Sequence, residues 1–330
     1  MKNITKKLTI FSTIIIILLF FIAFIKHSFW TKEGNHLSGF KIPVIHINPF
    51  DEEISSKYDG VSSKPRPNVT LVTALLEIGR NNWKFYGRPL SKYQEYLSVL
   101  LQLDIDMVIF ITSEHYEIVK KIRIDNGLWD RTQVFVITLK DLPLYKYLNK
   151  MRQIMDKEKV PGGWKDEWDA VMKTHPEATS PEYNLVVNSK PYFLYNATIE
   201  NIFNSSSFVW LDAGYCHGDV LCFPKFFKWH PTVTKGKVSM IKLTPDSDRI
   251  EDYTIEKLYR KDWAGISGGF IGGDAISLKQ FYHYHFQKIL ELLHMNIVDD
   301  DQTIIILLIK EMPELFDLQY GDWFDAFRLF

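Results

Sequence analysis

Cysteine is scarce: two residues in 330 leave no room for a disulfide-dense scaffold or a four-thiolate zinc site. Positive charge is not in surplus either. The chain carries 39 Lys and Arg against 40 Asp and Glu, a formal charge of −1, which argues against a general nucleic-acid binder. Gly (17) and Pro (14) are too few for a collagenous or low-complexity chain. No repeat of fixed period marks a solenoid or propeller. The sequence also lacks G-x-S-x-G, H-E-x-x-H and a Walker A loop, so the common hydrolase, zinc-protease and NTPase signatures are absent. What is plentiful is aromatic side chains, at 15%, enough for a large core or a surface on which sugars stack.

One long apolar run is present. Leu8–Ile25 holds no charge, and as a helix it would reach roughly 27 Å, the hydrocarbon thickness of a thin membrane. Lys2, Lys6 and Lys7 precede it, which predicts the N-terminus in the cytosol. The sequence after Ala23, FIKHSF, is a poor cleavage site, so an uncleaved anchor is favoured over a signal peptide. The expected layout is a cytosolic tail (1–7), a transmembrane signal anchor (8–25), a Pro-punctuated stem (26–66) and an α/β domain (67–330). Such a type II membrane protein would face the lumen of the endoplasmic reticulum or Golgi. Asn68, Asn196 and Asn204 head N-x-S/T triplets and are candidate glycosylation sites there. Cys216 and Cys222, six apart, could form a disulfide or remain two buried thiols.

Beyond residue 68 strand and helix signals alternate. VTLVTALL (69–76), MVIFIT (107–112) and QVFVIT (133–138) read as buried strands, and 90–103, 114–124 and 142–155 as helices. That alternation predicts a mainly parallel sheet flanked by helices. Residues 183–197 could form a helix, with Pro191 at a break or near a terminus. A strand at 206–214, a Gly-rich strand and turn at 265–275, a helix to His294 and a last helix after Asp299-Asp300-Asp301-Gln302 complete the pattern.

Three stretches can carry chemistry. FVWLDAG delivers Asp212 to the carboxyl end of a strand, where open α/β sheets bind ligands. There it could hold a metal–diphosphate or orient a sugar hydroxyl, or it could be a turn Asp. GGFIGGD has glycines at 268, 269, 272 and 273, which permit close backbone approach to a ligand or simply a packed, bulged strand. Asp299-Asp300-Asp301 could supply a base or bind hydroxyls, or could cap a solvated helix start. His283 and His285 lie two apart in a helical stretch and so cannot share a metal.

Taken in order, VTALLEIGR (72–80), DMVIFI (106–111), SKPYFLYNA (189–197), FVWLDAG, GGFIGGD and DDDQT resemble the HtrL/YibB family over about residues 69–325. That family is similar to glycosyltransferases of the A-type fold, and its bacterial members are associated with lipopolysaccharide biosynthesis. The resemblance implies a transferase moving a sugar from a nucleotide-sugar donor to a glycan or glycoconjugate acceptor. It implies donor contacts from Thr73, Glu77, Arg80, Lys190, Asp212, Gly268, Gly269 and Asp274, and a catalytic role for Asp301 and Gln302. Asp212 matches the first residue of the Asp-x-Asp that binds a divalent metal, manganese or magnesium, in such enzymes. Gly214 stands where the second Asp would be, so a transferase-like binding or interaction protein without catalysis is the alternative.

Overall fold

The computed structural model describes residues 68–80, 83 and 86–330. The expected tail, anchor and stem lie outside the described residues. Among the described residues no helix is long and apolar enough to cross a membrane.

Seven strands form one sheet: β1 (Val69–Leu75), β2 (Asp106–Ile111), β3 (Thr132–Val136), β4 (Ser207–Leu211), β5 (Val238–Lys242), β6 (Phe270–Asp274) and β7 (Phe316–Tyr320), in the spatial order β3-β2-β1-β4-β6-β5-β7. All run in one direction except β6, which is antiparallel to β4 and β5. The first four strands are near-continuous apolar runs because both sheet faces are covered by helices. β5 and β7 have no counterpart in the sequence reading. VSMIK and FDLQY are five residues each, and their mixed polarity gives little periodicity to detect.

The parallel register places the ends of the strands together. Val72 pairs with both Val108 and Trp210, so the carboxyl ends of β1, β2 and β4 share one edge. From β1 the chain winds outward through β2 to β3, then returns to the other side of β1 as β4. The gap beyond β1 and β4 is therefore the point where strand order reverses. In open α/β sheets the crevice forms there, because the connections leave in opposite directions.

The helix Lys190–Glu200 crosses this sheet, with Pro191 in its first turn, where a missing N–H costs nothing. Lys190, Phe193, Leu194 and Ala197 are buried at i, i+3, i+4 and i+7. Phe193 stacks on Trp210 of β4 at 5.8 Å and touches Phe110 of β2 at 4.8 Å, and Phe110 stacks on Phe135 of β3 at 5.0 Å. This aromatic row fixes the helix on the sheet and brings its first residue to the sheet's carboxyl edge.

Candidate functional site

Asp212 follows the last residue of β4. Its backbone N–H donates to the Gly269 carbonyl at 3.2 Å, just before β6 begins. Trp210, two residues earlier, lies on the same face of the strand, and its indole Nε1 donates to Asp212 Oδ1 at 2.7 Å. The Lys190 ammonium lies 3.1 Å from Asp212 Oδ1 and 3.4 Å from Oδ2. It also meets Asp301 Oδ2 at 2.9 Å and donates to the Gly268 carbonyl at 2.9 Å. Side-chain exposure divides the trio: Lys190 is 8% exposed and Asp301 3%, but Asp212 is 42% exposed. Asp212 is the member that solvent or a ligand can reach.

Gly268 has to be glycine for this arrangement. A Cβ there would fall 2.5 Å from Asp301 Oδ2 and 3.2 Å from Lys190 Nζ. Gly214 adds no side-chain ligand beside Asp212, and both Asp212 oxygens already face the ammonium.

Asp301 opens the helix Asp301–Glu311, and Asp300 caps it by accepting from the N–H groups of Gln302 and Thr303. The run of three carboxylates thus splits by direction. Asp300 serves the helix, Asp301 faces Lys190, and Asp299 pairs with Arg260 at 3.3 Å. Arg260 is fully buried, sits at φ 57° and also binds Glu158 at 2.9 Å. Left-handed backbone at a buried arginine is strain of the kind that collects at functional sites. Glu177 joins from a neighbouring short helix. Carboxylate oxygens of Glu177, Asp299 and Asp300 come within 4.8 Å of one another, a buried spacing that could hold a metal ion.

So many carboxylates around two cations cannot all ionise cheaply. Burial, then Asp300 and Asp299, pushes Glu177 up to about 11. Burial raises Asp299 to about 7 against the pull of Arg260, and Asp301 to about 6 against that of Lys190. Burial would discharge Lys190, but Asp212 and Asp301 outweigh it and hold the ammonium above its ordinary value.

The loop after β1 completes the edge. Glu77 accepts from the Gly79 N–H, and Arg80 Nη1 donates to the Leu76 carbonyl at 2.5 Å. The Arg80 guanidinium lies 4.8 Å from the Tyr93 ring centre. Burial lowers its pKa, opposed by Tyr93, Glu77 and Tyr183. Tyr183 links this loop to the acidic residues, since burial and then Asp300, Asp301, Glu177 and Asp212 drive its hydroxyl pKa well up. Tyr183 and Trp210 escaped the sequence reading. Trp210 had a signal, its spacing of two from Asp212 on a strand; Tyr183, Glu177, Glu158 and Arg260 come from distant segments and had none.

Three expected residues sit elsewhere. Thr73 is fully buried and its hydroxyl is spent on the Leu211 carbonyl at 2.7 Å, so it joins β1 to β4 and is closed to a donor. Asp274 pairs with Ser207 at the start of β4, at the opposite end of the strand from Asp212, because β6 is antiparallel. There it caps the helix Ala275–His294 by accepting from Ile276 and Ser277. Asn196 is 7% exposed inside the helix Lys190–Glu200 and cannot accept a glycan; Asn68 and Asn204 are exposed. Cys216 and Cys222 are joined by a disulfide with 6.0 Å between their Cα atoms.

Known proteins resemble this chain at two levels. Residues 67–330 match the family described as "Bacterial protein of unknown function (HtrL_YibB)". Protein HtrL of Escherichia coli (strain K12) is 29% identical over 287 residues, covering 80% of this chain and 93% of the relative. Among solved structures, apo mouse xyloside xylosyltransferase 1 superposes with a TM-score of 0.38 at 12% identity, covering 76% of this chain and 84% of the other. The 4-diphosphocytidyl-2C-methyl-D-erythritol synthase of Anaerococcus prevotii gives 0.33 at 8% identity, covering 78% and 88%. These scores are too low to define a shared fold.

The bacterial relatives overturn the expected localisation. A single-pass protein facing the endoplasmic reticulum or Golgi lumen does not fit a family described as bacterial, whose cells lack those compartments. The run 8–25 that suggested it lies outside the described residues. With both the match over 67–330 and the HtrL relationship in place, the chain belongs to the HtrL/YibB family.

Proposed function

We propose that this protein is a glycosyltransferase that moves a sugar from a nucleotide-sugar donor to a glycan or glycoconjugate acceptor. The observation that carries this reading is the place of the Asp212 cradle. It lies at the carboxyl ends of β1 and β4, where strand order reverses and an α/β sheet opens to ligands. Arg80 and Glu77, on the loop after β1, would line the nucleotide. Asp212, the exposed member of the trio, would accept a hydroxyl of the transferred sugar. Asp301, for which a catalytic role is expected, is 3% exposed and turned to Lys190, so it would act on a bound acceptor only through that ammonium, with Gln302 beside it.

A second reading, a nucleotide-sugar-binding protein without catalysis, is favoured by one observation: Gly214 leaves Asp212 without an acidic partner two residues on. Thermal shift against UDP-, GDP- and CMP-linked sugars tests both. A ligand at 100 times its dissociation constant stabilises by about 2.7 kcal/mol, and one kcal/mol is worth roughly 2–4 °C in a domain of this size. A rise of roughly 5–10 °C with one donor is expected, and no shift with any would end both readings. Release of free nucleotide from that donor then separates the transferase from the binding protein.

A further inference from the structure

We propose that Lys190 is the resident cation of the Asp212–Asp301 cradle, and that no divalent metal binds at Asp212. This concerns the same edge of the sheet as the transferase reading but does not depend on it.

An ammonium has three protons to donate. Lys190 donates to the Gly268 carbonyl at 2.9 Å and to Asp212 Oδ2 at 3.4 Å, and its charge is paired with Asp301 Oδ2 at 2.9 Å and Asp212 Oδ1 at 3.1 Å. Two carboxylates and a carbonyl from three separate segments are the kind of oxygen set that hard metal ions use. Here a side chain of the protein fills it. The side chain is 8% exposed, and a buried ammonium is tolerated only when paired and hydrogen-bonded, as this one is. Gly268 makes room for the contact, because any Cβ would strike Asp301.

A divalent ion would have to share Asp212 with this charge. Bound at about 2.1 Å from a carboxylate oxygen, it would lie no more than about 5.5 Å from Lys190 Nζ, which is 3.4 Å from the farther oxygen. Trp210 Nε1 already occupies Asp212 Oδ1, and Gly214 supplies no second carboxylate to offset the repulsion. Asp301 is turned to the ammonium. The cradle therefore has its positive charge built in, and metal chemistry at Asp212 is neither needed nor accommodated.

Manganese alone tests this, with no nucleotide present. Binding of Mn²⁺ to the full chain is followed by electron paramagnetic resonance for wild type, Asp212→Asn, Lys190→Ala and the double variant. Wild type and Asp212→Asn are expected to bind Mn²⁺ equally, through whatever other carboxylates take it. Lys190→Ala is expected to gain one further site, and adding Asp212→Asn to remove it. A tenfold or greater loss of Mn²⁺ affinity in Asp212→Asn alone would overturn the proposal, as would a folded Lys190→Ala that gains no site. Should Lys190→Ala fail to fold, the wild type and Asp212→Asn pair decides. Asp212-dependent Mn²⁺ binding would leave the transferase reading standing, and absence of nucleotide-sugar binding would leave this one standing.

Discussion

Two buried charge clusters sit on the same sheet and are built on opposite principles. At the start of β2 and β3, Arg123 is fully buried and uses all five of its N–H donors. They go to Thr132 Oγ1 and to the carbonyls of Leu101, Leu103, Ile105 and Arg131, at 2.7–3.3 Å. Its neighbour Arg131 pairs with Asp104 and Asp106, so two cations meet two carboxylates. At the carboxyl edge, by contrast, Lys190 and Arg260 face Glu158, Glu177, Asp212, Asp299, Asp300 and Asp301. The first cluster is balanced and organises loops. The second carries an excess of acid that protons have to quiet, and it opens to solvent at Asp212. Sites that break the rules of burial are where function is expected, because their cost is recovered only when a ligand arrives.

If the first cluster is structural, removing its centre should be the most damaging change. Arg123→Met leaves four buried carbonyls without their donor and should cost roughly 3–5 kcal/mol. Thermal or urea denaturation would show it, and a loss under about 1 kcal/mol would contradict the contrast.

The acidic cluster should reveal itself through pH. Glu177 keeps its proton in the folded chain up to about 11 but loses it near its ordinary value when unfolded. The folded state then binds more protons, so stability falls as pH rises across that interval. Between pH 8 and 9 the imidazoles of His115, His175, His217, His283 and His285, whose folded pKa values burial lowers, are neutral in the folded and unfolded chain alike and no longer contribute. The melting temperature should drop over this range, by up to ~1.4 kcal/mol of stability per pH unit, and Glu177→Gln should flatten the slope. A wild-type profile that is flat or rises would remove the acidic excess from the account.

A smaller effect separates scaffold from site within β1. Thr73→Val deletes the bond to the Leu211 carbonyl and should cost about 1 kcal/mol, with nucleotide-sugar affinity unchanged. Weakened affinity at intact stability would return Thr73 to the donor site.

The sequence reveals the frame of this molecule better than its site. β1 to β4 were legible because doubly covered strands are apolar throughout, whereas the helix expected over 183–197 is two, Pro181–Val187 and Lys190–Glu200, parted just before Pro191. The direction of β6 was not legible. That direction alone sends Asp274 to the far end of β4 while keeping Gly268 and Gly269 beside Asp212. The acidic run after residue 298 was visible, but not that its three members would part ways to Arg260, a helix cap and Lys190. Arg260 lies 39 residues from Asp299 and Lys190 111 from Asp301 in sequence, and only the assembled sheet brings them together.

The most direct test asks whether Asp212 serves the fold or a ligand. Asp212→Asn keeps the side chain's shape and its bond from Trp210 while removing the charge. Melting temperature and affinity for the stabilising nucleotide sugar should be measured on the same preparation. A melting temperature within about 2 °C of wild type is expected, as for a half-exposed ion pair, with an affinity at least tenfold weaker, a loss of about 1.4 kcal/mol. Wild-type affinity in Asp212→Asn, with or without a loss of stability, would contradict it.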